Sequence, residues 1–350
     1  MAGLKRLLAA ALAVGGLCPV LSGCQPRMHT ASATFFAMDT VMTVTVAAQD
    51  EAGAVEATAQ GDETTVHDFE ALFSATREGS DIYALNSANG EPVRIRPETV
   101  DILTRALELC ELTDGALDIT AYPAVKAWGF TAGEYRVPDE AELKELTGNI
   151  EYTALELTEN RYASLPAGME IDLGAVAKGY VGDRLAEGYR SCGFSHALLD
   201  LGQSSIMTVG TRPDGNPWRI GIQDPRGEEY LGVLELADMA MGTSGDYQRY
   251  FEQDGVRYSH IIDPATAAPA RSGLTSVTVV SPSCLTCDGL STALFVMGLE
   301  KGVQFWRDHP ELEFDVIFIE ETGEIFITPG LEGSFTLAEG YEDREVTVLS

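Results

Sequence analysis

The chain has 350 residues, 45% of them apolar, and a formal net charge of −31 at pH 7. This length and apolar content suit one large domain, or two fused domains, with a buried core. A surface this acidic repels nucleic acid and anionic lipid headgroups, so the composition excludes a protein that binds either of them by charge.

The N-terminal residues have the pattern of a bacterial export signal. Two basic residues precede the apolar run Leu7–Val20, which is too short to span a bilayer comfortably. The sequence Leu-Ser-Gly-Cys24 follows and resembles a lipobox, in which Cys24 becomes the lipid-bearing first residue. An ordinary secretory signal and an uncleaved anchor are the alternatives, and all three export the protein. We predict a signal peptide over 1–23, a tether over 24–33, and a lipid-anchored protein facing the outer side of the cell membrane.

The exported part contains more predicted strands than helices, and the strands come in hairpin-like runs. Strands are predicted at Thr40–Ala48, around Ile150–Ala163, and at Glu170–Leu173, Ala197–Leu201, Ser205–Val209, Trp218–Ile222, Leu231–Leu236, Met239–Gly242, Tyr247–Phe251, Val256–His260, Thr275–Val280, Phe314–Glu320 and Ile325–Thr328. Helices are predicted at Gly53–Thr76, Pro97–Thr113, Asp139–Thr147, Ala175–Tyr189, Gly289–Met297 and Lys301–Arg307. We expect Ser205–Val209 and Trp218–Ile222 to pair around the turn at Pro213. The pattern favours an α+β fold with largely antiparallel sheets, in one domain over 34–330 followed by a tail over 331–350.

The chain has six cysteines, of which Cys18 would leave with the signal peptide and Cys24 would carry lipid. The remaining four are too few and too scattered for a disulfide-built scaffold. Cys284 and Cys287 have the C-x-x-C spacing of redox and zinc sites. No second pair or histidine cluster accompanies them, which argues against zinc. Two interpretations stay open: two small buried residues at a strand-to-helix corner, or a local disulfide.

A glycine-containing junction between a predicted strand and a predicted helix spans Ile171–Tyr180. Gly174 permits a tight turn, and the free N–H groups at the start of the helix can bind an anion. Lys178 in the first turn opposes the helix dipole, so helix stability does not explain it, whereas a bound phosphate does. The alternative is a surface lysine whose stem covers an apolar patch.

Two further residues have both a structural and a chemical interpretation. Asp118, in Gly-Ala-Leu-Asp-Ile-Thr, is typical of a cap for the next segment, and it can also accept a hydrogen bond from a ligand. His260 is a candidate general base, which requires a neighbouring group to orient it. Its alternative is a half-buried histidine beside the turn at Asp263.

Asp288 and Thr292 lie four residues apart in a predicted helix. Residues at this spacing share one helix face, so the carboxylate and the hydroxyl can address one point. Both are oxygen ligands that suit a hard cation such as Mg²⁺. We predict a Mg²⁺-assisted phosphate site with a histidine nearby.

Six motifs occur in the order and spacing of a known family. They are Met38-Asp-Thr40, Gly115-Ala-Leu-Asp-Ile-Thr120, Asp172-Leu-Gly-Ala-Val-Ala-Lys-Gly-Tyr180, Thr243-Ser-Gly-Asp-Tyr247, His260-Ile-Ile-Asp-Pro264 and Asp288-x-x-x-Thr292. The chain resembles the ApbE-type FAD:protein FMN transferases, in their lipoprotein form, over nearly all of its exported part. The resemblance implies an enzyme with an ApbE-like fold related to the T-fold.

The resemblance also implies roles for residues of five of these motifs. FAD would be held by Met38, Ala116, Leu117, Asp118, Asp172, Lys178, Ile262 and Ser291. The backbone carbonyl of Ala175 and the side chains of Asp288 and Thr292 would ligate Mg²⁺. His260 would assist proton transfer.

The implied reaction is Mg-dependent transfer of FMN from FAD to a Thr or Ser hydroxyl of an exported flavin-carrier protein, with release of AMP. The partners are then FAD, Mg²⁺, this acceptor and the membrane through lipid on Cys24, and not nucleic acid. One alternative is an FAD pyrophosphatase, in which water replaces the acceptor hydroxyl and the products are FMN and AMP. The other is an exported flavin-binding lipoprotein without catalytic activity.

The chain departs from the family pattern at three positions. Gln203 follows Gly202 where the family often has paired glycines, and Ala267 replaces the glycine that often ends Asp-Pro-x-Thr-Gly. Ser291 stands where some relatives carry an acid. None of these changes removes an implied metal ligand, and the first two concern backbone turns near the nucleotide.

Overall fold

The structure is a computed structural model that describes residues 28–49 and 52–350. The predicted signal peptide and Cys24 lie outside these residues. Its strands are β1 (His29–Ala37), β2 (Thr40–Ala48), β3 (Val93–Arg94), β4 (Glu156–Leu157), β5 (Tyr162–Ser164), β6 (His196–Asp200), β7 (Ser205–Gly210), β8 (Trp218–Gln223), β9 (Tyr230–Leu236), β10 (Ala240–Gly245), β11 (Tyr250–Gln253), β12 (Val256–Ser259), β13 (Ile262–Asp263), β14 (Ala268–Pro269), β15 (Leu274–Ser281), β16 (Asp315–Glu320), β17 (Ile325–Ile327), β18 (Phe335–Leu337) and β19 (Val346–Val348). Its α-helices are α1 (Ala52–Phe73), α2 (Asp81–Ser87), α3 (Pro97–Leu112), α4 (Tyr122–Ala127), α5 (Glu140–Thr147), α6 (Ala177–Ser191) and α7 (Cys284–Asp308). None of the described helices has the length and apolar character to cross a membrane.

A nine-stranded sheet in the order β1-β2-β6-β7-β10-β15-β16-β17-β19 forms the centre of the fold. Its neighbouring strands pair antiparallel, except that β17 and β19 are parallel. A second sheet contains β18, β9 and β8. The prediction of an α+β fold with largely antiparallel sheets is confirmed.

The large sheet is buried on both faces over its central strands. Helices α1, α6 and α7 pack against one face. On the other face Ile206, Met241 and Ile317 pack against Ile220 and Leu234 of the small sheet, forming a second apolar core. Strands β7 and β15 are buried at nearly every position, as two-sided burial requires, and their polar members are the small residues Ser and Thr.

Two predictions about strands are wrong. The extended segment Glu170–Leu173 does not join a sheet, because the side-chain amide of Asn86 takes both backbone hydrogen bonds of Ile171. The amide oxygen accepts from the N–H of Ile171 at 2.8 Å, and the NH₂ group donates to its carbonyl at 2.9 Å. Strand β8 pairs with β9 and not with β7, which lies between β6 and β10. The alternating burial of β8 suits a sheet that covers the core from one side only.

The fold is longer at both ends than predicted. Strand β1 begins inside the expected tether and pairs with β2 along its whole length. Three of its four exposed residues are hydroxylic, and Ser32 and Thr34 bond Thr45 and Thr43 across the hairpin at 2.8 and 3.0 Å. This polar outer face made the segment resemble a tether. The expected tail supplies β18 and β19, which join the small and large sheets.

Helix α7 begins earlier than predicted and includes both expected C-terminal helices, with a break at Gly298 (φ 79°, ψ 173°). Its first N–H groups are capped by Asp183 of α6, which accepts a hydrogen bond from the N–H of Cys284 at 2.6 Å. Cys284 and Cys287 are free, fully buried thiols, and burial raises the pKa of both. The interpretation as buried residues at a strand-to-helix corner is confirmed, and the disulfide alternative is not.

Helices α6 and α7 approach closely at Gly179. A Cβ atom there would lie 2.3 Å from the carbonyl oxygen of Cys284, whereas one on Gly188 of the same helix would meet nothing within 4 Å. We expect Gly179→Ala to lower the free energy of unfolding by about 1–3 kcal/mol through overpacking. Gly188→Ala, the matched control, should raise it by about 0.5–1 kcal/mol. Urea denaturation measures both, and equal stabilities of the two variants would contradict the packing argument.

Candidate active site

One cleft of about 1570 Å³ opens on the helix-bearing side of the large sheet and extends to the edge of the small sheet. All twelve residues that the sequence assigned to FAD, to the metal or to proton transfer line it. They are Met38, Ala116, Leu117, Asp118, Asp172, Ala175, Lys178, His260, Ile262, Asp288, Ser291 and Thr292. The motifs are far apart in sequence, so the fold brings them together.

The carboxylate of Asp288 lies at the junction of α6 and α7. Its Oδ2 accepts a hydrogen bond from the N–H of Gly179 at 2.7 Å, and its Oδ1 accepts one from the hydroxyl of Ser205 at 2.7 Å. Asp288 of α7 thus caps α6, as Asp183 of α6 caps α7. Burial raises the pKa of Asp288, and the nearby charge of Lys178 opposes that rise.

Three hydroxyls lie beside this carboxylate. The Oγ of Ser244 is 2.9 Å from the Oγ of Ser291 and 3.1 Å from the Oγ1 of Thr292. Ser291 and Thr292 each donate to the backbone carbonyl of Asp288, at 3.0 and 3.3 Å. Ser205 was not singled out from the sequence, and Ser244 was noted only as a member of the Thr243–Tyr247 motif, without a role. No local pattern relates a strand serine to a helix that lies so far along the chain.

The donor set fits a hard cation. The described residues contain no group of three or more His, Cys, Asp or Glu side chains that could hold a metal ion. Asp288, Thr292 and the carbonyl of Ala175 instead offer one carboxylate and two neutral oxygens. Each carboxylate oxygen of Asp288 keeps a second acceptor position beside its hydrogen bond. This small, all-oxygen set suits Mg²⁺, which usually keeps several waters and binds substrate phosphates.

Four cations line the same cleft: Arg77, Lys178, Arg219 and Arg249. Arg219 is 3.9 Å from a carboxylate oxygen of Glu235. Within residues 28–49 and 52–350 the other three form no salt bridge with a carboxylate, although most arginines of this acidic chain do. Arg249 donates to the backbone carbonyl of Phe130 at 2.6 Å, which leaves most of its donors available. The sequence indicated only Lys178, since none of the arginines belongs to a local phosphate-binding pattern. Arg77, Lys178 and Arg249 supply positive charge for an anionic group of a ligand in a cleft that Asp and Glu side chains also line.

His260 follows β12 and is held in one tautomer. Its Nδ1 is 3.2 Å from the backbone carbonyl oxygen of Arg249. A carbonyl only accepts, so Nδ1 carries the proton and Nε2 keeps a lone pair. Desolvation of the imidazole and the charges of Arg249 and Lys178 lower its pKa to about 4. His260 is therefore neutral near pH 7 and able to accept a proton, and an anionic substrate beside it raises this pKa.

Asp118 and Asp172 organise the backbone of the cleft. Asp118 accepts hydrogen bonds from the N–H and the hydroxyl of Thr120, at 2.8 and 2.6 Å, and from the N–H of Tyr152 at 3.0 Å. Its predicted capping role is confirmed, at a 3-10 turn. Asp172 accepts from the N–H of Gly174 at 2.7 Å, which stabilises the turn into α6. Burial raises the pKa of both carboxyls.

The β1–β2 hairpin places Met38 at the cleft through a strained turn. Met38 and Asp39 form a two-residue loop with φ of 48° and 60°, a conformation in which Asn-Gly is preferred. The carboxylate of Glu70 in α1 accepts a hydrogen bond from the N–H of Met38 at 2.6 Å and supports the turn. The sequence did not indicate this residue. Backbone strain of this kind persists where the surroundings over-determine it.

Gln203 and Ala267 stand where the family often has glycine, and both have left-handed backbone, with φ of 65° and 52°. Asp200 accepts the N–H of Gln203 at 2.6 Å and holds the first turn. The carbonyl of the buried Ala267 accepts the indole N–H of Trp128 at 2.8 Å and holds the second. The backbone geometry that favours glycine is kept without the glycine.

Relief of this strain is measurable at Gln203, which is exposed. A left-handed conformation costs a non-glycine residue roughly 1–2 kcal/mol, and glycine loses roughly 0.5–1 kcal/mol in backbone entropy. We expect Gln203→Gly to raise the free energy of unfolding by about 0.5–1 kcal/mol. Gln253→Gly, at an exposed strand position without positive φ, should lower it. Thermal denaturation of both variants checks the sign, and a destabilised Gln203→Gly would contradict the strain.

An α+β domain in which one cleft collects cations, oxygen donors and a neutral histidine defines an enzyme that acts on an anionic substrate. Comparison with known proteins agrees. A family model described as the ApbE family matches residues 38–317. The chain belongs to the ApbE family, as its motifs predicted.

Several curated relatives share one name. A Vibrio cholerae protein named FAD:protein FMN transferase is 40% identical over 238 residues, which cover 66% of this chain and 70% of the relative. A Treponema pallidum protein of the same name is 33% identical over 322 residues, which cover 87% and 88%. Among solved structures, the ApbE protein of Thermotoga maritima matches with a TM-score of 0.82 at 32% identity, over 87% of this chain and 99% of that one. The flavin transferase ApbE from Vibrio cholerae matches at 0.78 and 29%, over 88% and 100%.

Proposed function

We propose that this protein transfers the FMN half of FAD to a Thr or Ser hydroxyl of an exported acceptor protein and releases AMP. The name of the relatives supports the transfer itself. The observation that carries the proposal is the placement of His260, Lys178 and the Asp288–Thr292 oxygens around one cleft. A base, a phosphate-binding cation and a metal site are the parts that such a phosphoryl transfer requires.

The step is a displacement at phosphorus. The acceptor oxygen bonds to the phosphorus next to riboflavin, and the bond from that phosphorus to the bridging oxygen breaks. AMP leaves with the bridging oxygen, and the hydroxyl proton passes to Nε2 of His260, directly or through a relay. The product is a phosphoester-linked flavin on the acceptor, and no oxidant or reductant is consumed.

The residues of the cleft divide this work. Lys178, together with Arg77 and Arg249, stabilises negative charge that builds on the pyrophosphate. Asp288, Thr292 and the carbonyl of Ala175 would hold Mg²⁺. When bound, Mg²⁺ supplies further neutralisation of the phosphate charge. The Met38 turn and Asp118–Thr120 shape the nucleotide side of the cleft.

Export and lipid anchoring are part of the proposal, supported by the Leu-Ser-Gly-Cys24 sequence after an apolar run. The acceptor then meets the enzyme outside the cytoplasmic membrane. Cys24→Ser should abolish incorporation of labelled fatty acid in cells and release the protein from the membrane fraction. Unchanged labelling of that variant would contradict the anchor.

The test of the transfer combines purified protein, FAD, Mg²⁺ and a flavin-carrier domain. We expect covalent fluorescence of the carrier, a mass gain of one FMN and one AMP per adduct. Substitution of the acceptor hydroxyl residue by Val or Ala should abolish the adduct. AMP release without a carrier would favour an FAD pyrophosphatase, and tight FAD binding without any turnover would favour a flavin-binding lipoprotein.

A further inference from the structure

One face of strands β7 and β10 lies directly beneath the start of α7. In the antiparallel register of these strands Ser205 is opposite Gly242. Ser244 is two residues further along β10 and therefore on the same face. The hydrogen bonds of both serines to α7 agree with this placement. Two serines and a glycine thus form a surface on which the proposed metal ligands rest.

Gly242 allows this close approach. A Cβ atom on it would lie 2.5 Å from the carbonyl carbon of Cys287 and 2.7 Å from the backbone nitrogen of Asp288. Any side chain at this position would push the first turns of α7 away from the sheet. The glycine therefore sets the height of Asp288 and Thr292 above β10.

Ser205 sets the orientation of the Asp288 carboxylate. It has no exposed surface, and its hydroxyl donates to Oδ1 of Asp288 at 2.7 Å. The N–H of Gly179 holds the other oxygen at 2.7 Å. One carboxylate oxygen is hydrogen-bonded to Ser205 of the sheet and the other to the N–H of Gly179 in helix α6. These two bonds define the plane of the carboxylate before any ligand binds.

Ser244 sets the Thr292 hydroxyl. Ser291 and Thr292 each have one hydroxyl proton, and both direct it at the carbonyl of Asp288. Ser244 also has one hydroxyl proton, which its contacts with Ser291 at 2.9 Å and Thr292 at 3.1 Å share. Ser244 therefore fixes the positions of both helix hydroxyls, and the Oγ1 of Thr292 keeps a lone pair for a ligand.

We propose that Ser205 and Ser244 are positioning residues for the metal ligands. Their hydrogen bonds to Asp288 and Thr292 make the site prefer Mg²⁺ to the larger Ca²⁺. Mg²⁺ demands near-ideal octahedral geometry at short distances, whereas Ca²⁺ accepts longer and more variable ones. A rigid pair of ligands penalises the larger ion, and a loosened pair does not. This inference rests on the Mg²⁺ dependence in the proposed function.

The test measures metal binding as well as turnover. Mg²⁺ and Ca²⁺ are titrated by calorimetry into FAD-loaded Ser205→Ala and Ser244→Ala proteins. We expect Mg²⁺ affinity to fall about 10–100-fold and Ca²⁺ affinity to fall clearly less. The ratio of Mg²⁺ affinity to Ca²⁺ affinity should therefore decrease. In the transfer assay the half-saturating Mg²⁺ concentration should rise by a similar factor, with kcat at saturating Mg²⁺ retained within a few-fold.

Thr208→Val is the matched control, because Thr208 is a buried hydroxyl of the same strand that bonds the carbonyl of Met239 at 2.7 Å and lies outside the cleft. It should leave both metal affinities unchanged. Ser244 and Ser205 are tested separately, so poor folding of one variant leaves the other decisive. Wild-type Mg²⁺ affinity in a folded variant, or an equal loss for Mg²⁺ and Ca²⁺, would overturn the inference. A wild-type protein that transfers FMN without any divalent cation would instead overturn the proposed metal dependence.

Discussion

Asp288→Asn is expected to lower the rate of FMN transfer by about 100-fold or more. The substitution keeps the shape of the side chain but removes its charge. It also turns an NH₂ group towards either the N–H of Gly179 or the hydroxyl of Ser205, both of which donate to the carboxylate at 2.7 Å. Losing a charged ligand and its orientation removes the main electrostatic support for the pyrophosphate. Transfer rates against Mg²⁺ concentration measure the effect.

Asp183→Asn is the matched control. Asp183 caps the neighbouring helix through the N–H of Cys284 at 2.6 Å and pairs with Arg105 at 3.1 Å, but it does not line the cleft. Both variants lose a capping carboxylate from the α6–α7 pair, so both should lose stability, by about 1 kcal/mol or more. Only Asp288→Asn should change the Mg²⁺ dependence. Wild-type transfer and unchanged Mg²⁺ dependence in a folded Asp288→Asn protein would refute the metal assignment.

His260→Gln is expected to slow transfer by about 10²–10⁴-fold, the range of a lost general base. FAD affinity should change much less, because the neutral imidazole contributes no charge to the pyrophosphate. His196→Gln is the control, since the Nδ1 of His196 also contacts a backbone carbonyl, that of Thr211 at 2.7 Å, outside the cleft. Single-turnover transfer rates of the His260→Gln and His196→Gln proteins measure the difference. A fully active His260→Gln protein would assign the proton to another acceptor.

The depressed pKa of His260, about 4, predicts the pH dependence. Because the free enzyme keeps a neutral imidazole, kcat/KM for FAD should show no His260 titration near pH 6.5 and should fall only towards pH 4. The free energy of unfolding should also depend on the protonation of His260. The unfolded chain takes up the proton near pH 6.5, so the contribution of His260 is fully present above that pH and is lost as the pH falls towards 4. His260→Gln should show a shallower loss of unfolding free energy over this window.

The chemistry of the site could be predicted where it depends on short spacing along the chain. Asp288 and Thr292 share a helix face because they are four residues apart, and Gly174 precedes a helix N-terminus because the turn and the helix are adjacent. Asp118 caps its own turn through Thr120, two residues away. These are local properties that the order of residues determines, as are the antiparallel strand runs of the α+β class.

The partners of these residues depend on the tertiary structure. Ser205 reaches Asp288 across 83 residues, and Ser244 reaches Thr292 across 48. Arg77 and Arg249 enter the cleft from two separate loops, and β1 and β19 become strands only because a neighbouring strand is there to pair with them. Strand register and helix packing decide such contacts, and both follow from burial summed over the whole chain. The sequence by itself therefore determined the groups that short-range patterns specify, such as Asp288, Thr292 and Asp118. Only the tertiary structure decided which further groups join them and how each is held, because hydrogen-bond geometry needs partners that short-range patterns do not specify.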